Sequence, residues 1–225
     1  MPSIFHTSFQ SLLYILIIRL IVALTALPVH ECAHAYAAMR MGDHTAERQG
    51  RLTLNPFAHF DPIGTTAIIL FGFGWAKPVP INPLNFNNPK KGMMLSALAG
   101  PLSNIGLAFL SMVFYKLVPL LSYIGVGASF VSTLSTFFYY AMTINISLGV
   151  FNLIPIPPLD GSRIVSAFLP SGARMRYNMI ERYGTLIMLL LCVVPIGGTT
   201  VISRILNTPV SFLTDLIYSL AGLGF

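Results

Sequence analysis

The chain has few charged side chains. Asp, Glu, Lys and Arg make up 9% of its 225 residues, whereas apolar residues make up 55% and the mean hydropathy is +0.75. Soluble domains carry roughly 25% charged residues. The composition therefore excludes an ordinary soluble enzyme and predicts an integral membrane protein. The length suits one membrane domain of several spans, without a separate soluble domain.

Cysteine is also scarce. Cys32 and Cys192 both lie in apolar segments, and this excludes a disulfide framework. Acidic residues are rarer than basic ones, so the net charge is +6. The basic residues fall between apolar runs and form no face interleaved with aromatic residues. This pattern argues against a nucleic-acid partner and favours contacts with lipid headgroups.

Apolar runs predict the architecture of the chain. Spans are expected over residues 8–41, 92–118, 129–154, 178–195 and 200–222. Residues 61–75 are too short to cross and indicate a re-entrant or interfacial segment. Alternation over 51–55 and prolines over 77–83 predict extended segments that form a small membrane-associated β-sheet. The predicted fold class is an all-α polytopic membrane protein with about five transmembrane helices.

The basic residues predict how the chain is oriented. Lys116 and Arg204 fall on one side and Arg19 lies inside the first span. The others of the 13 basic residues share the opposite side: Arg40, Arg48, Arg51, Lys77, Lys90, Lys91, Arg163, Arg174, Arg176 and Arg182. By the positive-inside rule, we expect that side to be cytoplasmic.

Two histidines and a glutamate interrupt the first apolar run, because residues 30–34 read His-Glu-Cys-Ala-His. Positions i and i+4 share one face of a helix, so His30 and His34 can bind one Zn²⁺. Glu31 can then act as general base toward a water activated by the metal. Such groups are costly in hydrocarbon and therefore indicate a functional site. No cleavable signal is expected, since its removal would dismantle this site.

Catalytic zinc takes three protein ligands and keeps one position for water. A histidine six residues after His34 would complete one motif of soluble enzymes, but that position is Arg40. Glu47 is the nearest glutamate, yet it lies in a polar loop beside Arg48. Asp160 is the better candidate, because it follows Pro-Pro-Leu at the depth of the histidines. The alternative for Asp160 is a capping role at the following helix.

Further motifs follow in a fixed order. They are Asn-Pro-Phe-Ala-His-Phe-Asp-Pro at 55–62, Gly-Trp-Ala-Lys-Pro-Val-Pro at 74–80, Gly-Pro-Leu-Ser-Asn at 100–104, and Asn-Leu-Ile-Pro with Leu-Asp-Gly within 152–161. Together with residues 30–34, they resemble the site-2 protease family of intramembrane zinc metalloproteases. The resemblance covers roughly residues 20–165 in order and spacing.

This resemblance implies one zinc ion per chain, bound by His30, His34 and Asp160, with Glu31 as acid and base. It also implies that Asn152 hydrogen-bonds the substrate backbone, and that the substrate is a membrane protein with a transmembrane segment. We expect a single domain over 1–225, with a catalytic core at about 8–165 and C-terminal spans at about 178–222. We also expect the compact form without a PDZ or CBS domain, and the expected location is a prokaryotic cell membrane.

Two other interpretations remain open. A membrane metal-binding or transport protein could use the same His, His and Asp site, although further ligands across the membrane are few. A catalytically silent scaffold is the other alternative, against which the intact Glu31 argues. Asn104 and Asn145 are interpreted as contacts between helices, and His59 as an ordinary interfacial side chain.

Overall fold

The computed structural model describes residues 9–62, 64, 66 and 76–222. These residues are mostly helical. The helices are α1 (Phe9–Arg40), α2 (Thr45–Arg48), α3 (Pro56–His59), α4 (Pro89–Leu117), α5 (Ala128–Asn152), α6 (Asp160–Phe168), α7 (Ser171–Met179), α8 (Glu181–Val193) and α9 (Val201–Leu220). Short 3-10 segments occupy Pro83–Asn85 and Val118–Ile124, and two strands are β1 (Pro195–Ile196) and β2 (Thr199–Thr200).

Three helical stretches of the described chain are long and apolar enough to cross a membrane: Leu13–Arg40, Pro89–Ile124 and Ala128–Asn152. They confirm the first three predicted spans and the assignment as a membrane protein. Nearer the C-terminus, α8 has 13 residues and α9 has 20, and neither is among these stretches. The predicted re-entrant segment at 61–75 lies largely outside the described residues.

The predicted sheet of residues 51–55 and 77–83 is not confirmed, because neither segment forms a strand. The described strands β1 and β2 pair antiparallel at the connection between α8 and α9 instead. The backbone donors of the second segment have other partners. Val79 N–H donates to a carboxylate oxygen of Glu31 and Asn82 N–H to one of Asp43. Proline has no backbone N–H, so Pro78 and Pro80 cannot donate to a ladder.

Helix α4 packs along both α1 and α5 and forms the centre of the bundle. Ile18, Val22 and Ala26 of α1 pack with Ala141 of α5 in one buried apolar cluster. A second cluster joins α4, α5 and α9; it contains Ala108, Met112, Met142, Ile146, Ile217 and Ala221. The small residues in both clusters let the helices approach closely, which favours association in lipid.

The connection after α5 returns the chain toward this bundle. Residues 153–159 are irregular, and α6 then begins at Asp160 and packs against α4. A Cβ on Gly161 would overlap the backbone of Leu153, so the absence of a side chain permits this tight return. Asp160 is thereby carried to the side of α4 that faces α1.

Candidate metal centre

His30, His34 and Asp160 converge in the interior of the bundle. The two Nε2 atoms lie 3.0 Å apart, and each lies 3.2 Å from Oδ2 of Asp160. The histidines face the same way because they are one helical turn apart on α1, and Asp160 is the first residue of α6. The three residues are 5–7% exposed, and their ligand atoms are close enough to share one metal ion.

A chain of amide groups fixes the tautomer of His30. The Ala141 carbonyl can only accept, so Asn145 presents its amide nitrogen to it at 2.9 Å. The amide oxygen of Asn145 then accepts from Asn104 Nδ2 at 3.1 Å, which leaves Asn104 Oδ1 facing His30 Nδ1 at 2.6 Å. His30 therefore carries its proton on Nδ1, and its Nε2 lone pair is directed to the cluster.

His34 is oriented in the same way. Its Nδ1 donates to the Ser96 carbonyl at 2.7 Å, so a neutral ring again leaves the Nε2 lone pair toward the cluster. Ligating histidines commonly donate their second ring N–H to such an acceptor. Ser96 and Asn104 both belong to α4, which thus supplies a partner for each imidazole.

The donor set fits Zn²⁺. Oδ2 of Asp160 is a buried acceptor without a hydrogen-bond partner, and two imidazole lone pairs face it. Ligands of a tetrahedral zinc ion lie about 3.3 Å from one another, because the bonds are about 2.0–2.2 Å long. The observed separations of 3.0 and 3.2 Å are close to this value. His30, His34 and Asp160 would therefore hold the ion.

The position of Asp160 bears on its two interpretations. Its Oδ2 lies 3.2 Å from Nε2 of both His30 and His34, and helix α6 has no side-chain cap hydrogen bond at its N-terminus. This geometry favours the ligand interpretation over the capping alternative.

Gly100 provides the space for the two rings. A Cβ at this position would overlap both His34 and His30. The glycine is buried in α4, between the helical turns that carry Ser96 and Asn104. The position therefore requires a residue without a side chain if both imidazoles are to keep their orientation.

Glu31 lies beside the cluster and is not among its three ligand atoms. The residue is 8% exposed, and its Oε2 accepts a hydrogen bond of 3.0 Å from Val79 N–H. Glu31 thus presents a buried carboxylate with one backbone donor beside the cluster, and its expected role as general base stays a prediction.

Asn152 ends α5, and its amide nitrogen donates to the Leu148 carbonyl of the same helix at 3.0 Å. Its amide oxygen has no hydrogen-bond partner among the described residues. The structure thus shows an available acceptor and leaves the expected contact with a substrate as a prediction. His59 is 1% exposed, so its ring is enclosed by the protein, and its expected position at the membrane interface stays a prediction.

The amino-acid sequence indicated the four central residues, but it did not indicate the partners of the imidazoles. Asn104 and Asn145 were interpreted as contacts between helices, which they are, yet Asn104 also orients His30. The spacing within Gly-Pro-Leu-Ser-Asn could have indicated this role, because it places Gly100 and Asn104 one helical turn apart on the same face of α4.

Comparisons with known proteins agree with this site. The sequence profile of peptidase family M50 matches residues 16–195. "Putative zinc metalloprotease YwhC" of Bacillus subtilis (strain 168) is 45% identical over 189 residues, which cover 84% of this chain and 84% of that protein. "Putative zinc metalloprotease Rip2" of Mycolicibacterium smegmatis is 28% identical over 197 residues, which cover 83% of this chain and 71% of that protein.

A shorter match is to "Putative zinc metalloprotease MJ0611" of Methanocaldococcus jannaschii. It is 38% identical over 72 residues, which cover 31% of each chain. No solved structure matches the chain significantly. The family profile and the bacterial relative each extend over most of the sequence, and the profile covers all three residues of the metal cluster. The chain therefore belongs to peptidase family M50, the site-2 protease family of zinc metalloproteases.

Proposed function

We propose that the protein cleaves peptide bonds within or near the transmembrane segments of other membrane proteins. The convergence of His30, His34 and Asp160 inside a bundle of membrane-spanning helices carries this proposal. In it, these three residues bind one zinc ion per chain, Glu31 is the general base, and Asn152 binds the substrate backbone.

Zinc bound here would lower the pKa of a coordinated water toward about 7 and polarise the scissile carbonyl. Glu31 would accept the proton from the attacking water and deliver it to the leaving amine. A transmembrane helix holds its carbonyls in internal hydrogen bonds, so the substrate must unwind before attack. The free amide oxygen of Asn152 could accept from a backbone N–H released in this way.

The test of this function is Glu31→Gln in purified protein, reconstituted with a single-span substrate. We expect cleavage to fall by at least 100-fold, because the amide cannot accept the proton, while zinc remains near one ion per chain. Glu47→Gln is the matched control, since Glu47 is an exposed carboxylate paired with His44 on the surface. A Glu31→Gln protein that cleaves near the wild-type rate would contradict the mechanism.

The same variant separates the enzyme from the two alternatives. A transport protein or a silent scaffold should keep its activity in Glu31→Gln, because neither role needs a proton acceptor beside the metal. A defined cleavage product from wild-type protein, absent with Glu31→Gln, is expected only of the protease.

We further propose a single domain over 1–225, with a catalytic core at about 8–165 and two more crossings at about 178–222. Helix α8 would span about 20 Å and residues 194–196 about 10 Å, which together approach the ~30 Å hydrocarbon core. The return crossing would be α9. The basic residues around α6 and α7 support a cytoplasmic site, and the bacterial and archaeal relatives support a prokaryotic cell membrane.

Single cysteines at exposed positions test this topology in a background without Cys32 and Cys192. Phe57→Cys and Met175→Cys should both react with an impermeant thiol reagent from the cytoplasmic side, and Tyr123→Cys from the opposite side. These three native side chains are highly exposed, so labelling depends on membrane side. Labelling of Phe57→Cys and Met175→Cys from opposite sides would overturn the arrangement.

A further inference from the structure

An extended segment, residues 76–82, crosses the face of α1 beside the metal cluster; we call it the strap. Val79 N–H of the strap donates to Glu31 Oε2 at 3.0 Å. The Val79 side chain is 6% exposed and lies in a buried apolar cluster with Ala35 of α1 and Ala46 of α2. The middle of the strap is therefore fixed to α1 at the position of Glu31.

One end of the strap is held at Lys77 through both of its backbone groups. Arg51 Nη2 donates to the Lys77 carbonyl at 2.6 Å, and Lys77 N–H donates to the His59 carbonyl at 2.9 Å. The His59 ring is itself anchored, because its Nε2 donates to the Thr53 carbonyl at 2.9 Å. This leaves Nδ1 as an acceptor at 3.4 Å from the same Arg51 nitrogen.

The other end of the strap is held by Asp43, which follows α1 and is 1% exposed. Oδ2 of Asp43 accepts from Asn82 N–H at 2.7 Å, and Oδ1 accepts from Asn85 Nδ2 at 2.9 Å. Thr45 N–H donates to the same Oδ1 at 3.0 Å. Asp43 thus joins the end of α1 to the end of the strap.

The residues between the two anchors restrict what the strap can offer. Pro78 and Pro80 have fixed φ angles and no backbone N–H. Val79 therefore supplies the single donor of the Pro-Val-Pro sequence, and that donor is directed to the Glu31 carboxylate. The hydrogen bond from Val79 N–H to Oε2 limits rotation of the Glu31 carboxylate, so Oε1 is held in one orientation.

We propose that Arg51 and Asp43 are positioning residues, which hold the strap so that Val79 N–H orients Glu31 for proton transfer. This inference rests on the proposed function of Glu31 as general base. Removal of the N–H or of an anchor should lower the rate of the chemical step and leave zinc and substrate binding nearly unchanged. Loss of orientation of a catalytic group can reduce a rate by about 100-fold.

The direct test compares Val79→Pro with Val79→Ala in purified protein. Val79→Pro removes the N–H and keeps an extended backbone, whereas Val79→Ala keeps the N–H and loses only side-chain volume. Both variants lose the packing of the Val79 side chain, so the ratio of their rates measures the effect of the N–H. We expect kcat of Val79→Pro to lie roughly 10- to 100-fold below that of Val79→Ala, with the KM values of the two variants within about twofold of each other. Zinc content should be unchanged in both.

The anchors are tested with Arg51→Met, Arg51→Lys and the control Arg48→Met, which alters an exposed arginine of α2. Arg51→Met should lower kcat without changing KM, Arg51→Lys should restore part of it because an ammonium group can still donate to Lys77, and Arg48→Met should behave as wild type. If Arg51→Met fails to fold, the comparison of Val79→Pro with Val79→Ala still tests whether the Val79 N–H orients Glu31.

Glu31→Gln is measured in the same assay to separate this inference from the proposed function. If Glu31→Gln remains active, the proposed function fails and the inference fails with it. If Glu31→Gln is inactive while Val79→Pro keeps the wild-type kcat, only the positioning role is overturned. A rise in kcat/KM on loosening the strap would also overturn it, because that result is expected of a barrier to the substrate.

Discussion

Gly100 determines how closely α4 can approach the two histidines. A Cβ there would overlap both imidazole rings, and the rings cannot move apart without leaving the acceptors on α4. The absence of a side chain at Gly100 therefore allows both the close packing of α4 and the observed orientation of the two imidazole rings. Overpacking of this kind costs about 1–3 kcal/mol in a folded protein.

We predict that Gly100→Ala binds zinc far more weakly than wild type and loses activity, because the methyl group displaces His30 or His34. The measurement is zinc content after dialysis against a weak chelator. Gly106→Ala is the matched control on the same helix, since a Cβ at Gly106 meets nothing within 4 Å. Full zinc content in Gly100→Ala would contradict the overlap.

Asn104 orients the imidazole ring of His30 within the cluster. Its amide oxygen accepts a hydrogen bond of 2.6 Å from His30 Nδ1–H, so the Nε2 lone pair stays directed at the cluster. We predict that Asn104→Leu lowers zinc affinity about 10- to 100-fold, a common effect of losing such a partner. Competition with a chromophoric chelator measures the affinity. Ser103→Ala, which removes only a hydroxyl that bonds Gly100 of the same helix, should retain wild-type affinity.

At the scale of single residues, the amino-acid sequence predicted His30, Glu31, His34 and Asp160 because their chemistry is unusual in an apolar run. It could not predict the role of Asn104, since an asparagine between membrane helices has many possible partners. Which acceptor faces the imidazole depends on how α4 rotates against α1, and no local pattern encodes that rotation.

At the scale of elements, Asp43 joins the end of α1 to the strap. Its four hydrogen bonds come from Thr45, Asn82 and Asn85. Burial would raise the pKa of the Asp43 carboxyl, but these bonds outweigh burial and hold that pKa below its usual range. The contribution of Asp43 to stability is therefore complete above the unfolded pKa of about 3.9 and is lost as the pH falls through the lower folded value.

We predict that Asp43→Asn lowers the free energy of unfolding at pH 7 by about 1–3 kcal/mol, because an amide cannot accept from all of these donors. The difference from wild type should stay constant above about pH 5 and shrink below about pH 3.9. Thermal unfolding in detergent across this pH range checks the prediction. Asp215→Asn, at an exposed position of α9, is the control and should follow the wild-type curve. A pH-independent difference would show that the charge of Asp43 is not involved.

The first three long helices followed from apolar run length alone, and their observed bounds lie within a few residues of the predicted ones. The predicted sheet failed for a reason that local patterns do not contain. Residues 77–83 are extended as prolines require, but the N–H groups of Val79 and Asn82 bond to carboxylates of Glu31 and Asp43. Extended conformation is encoded locally, whereas the choice of a pairing partner is decided by tertiary structure.

At the scale of the whole molecule, the metal site joins elements that are far apart in sequence. His30 and His34 belong to α1, Asp160 belongs to α6, and α4 lies between them and holds both imidazoles. The bundle therefore packs around the site, and a bound ion would hold the first helix to the segment that follows the third span.

Because only the folded protein brings the three ligands together, we predict that removal of zinc lowers the thermal unfolding temperature of the whole chain. A ligand at 1,000 times its dissociation constant stabilises the folded state by about 4 kcal/mol. Differential scanning calorimetry of purified protein, with and without a chelator, measures the shift in unfolding temperature. Glu31→Gln should respond to the chelator as wild type does, since Glu31 is not among the three proposed ligands. Asp160→Ala should start at a lower unfolding temperature and respond little, because one of three ligands is gone. An Asp160→Ala protein with full zinc and the wild-type response would mean that Asp160 does not bind the metal, and that α6 is held to α1 by packing alone.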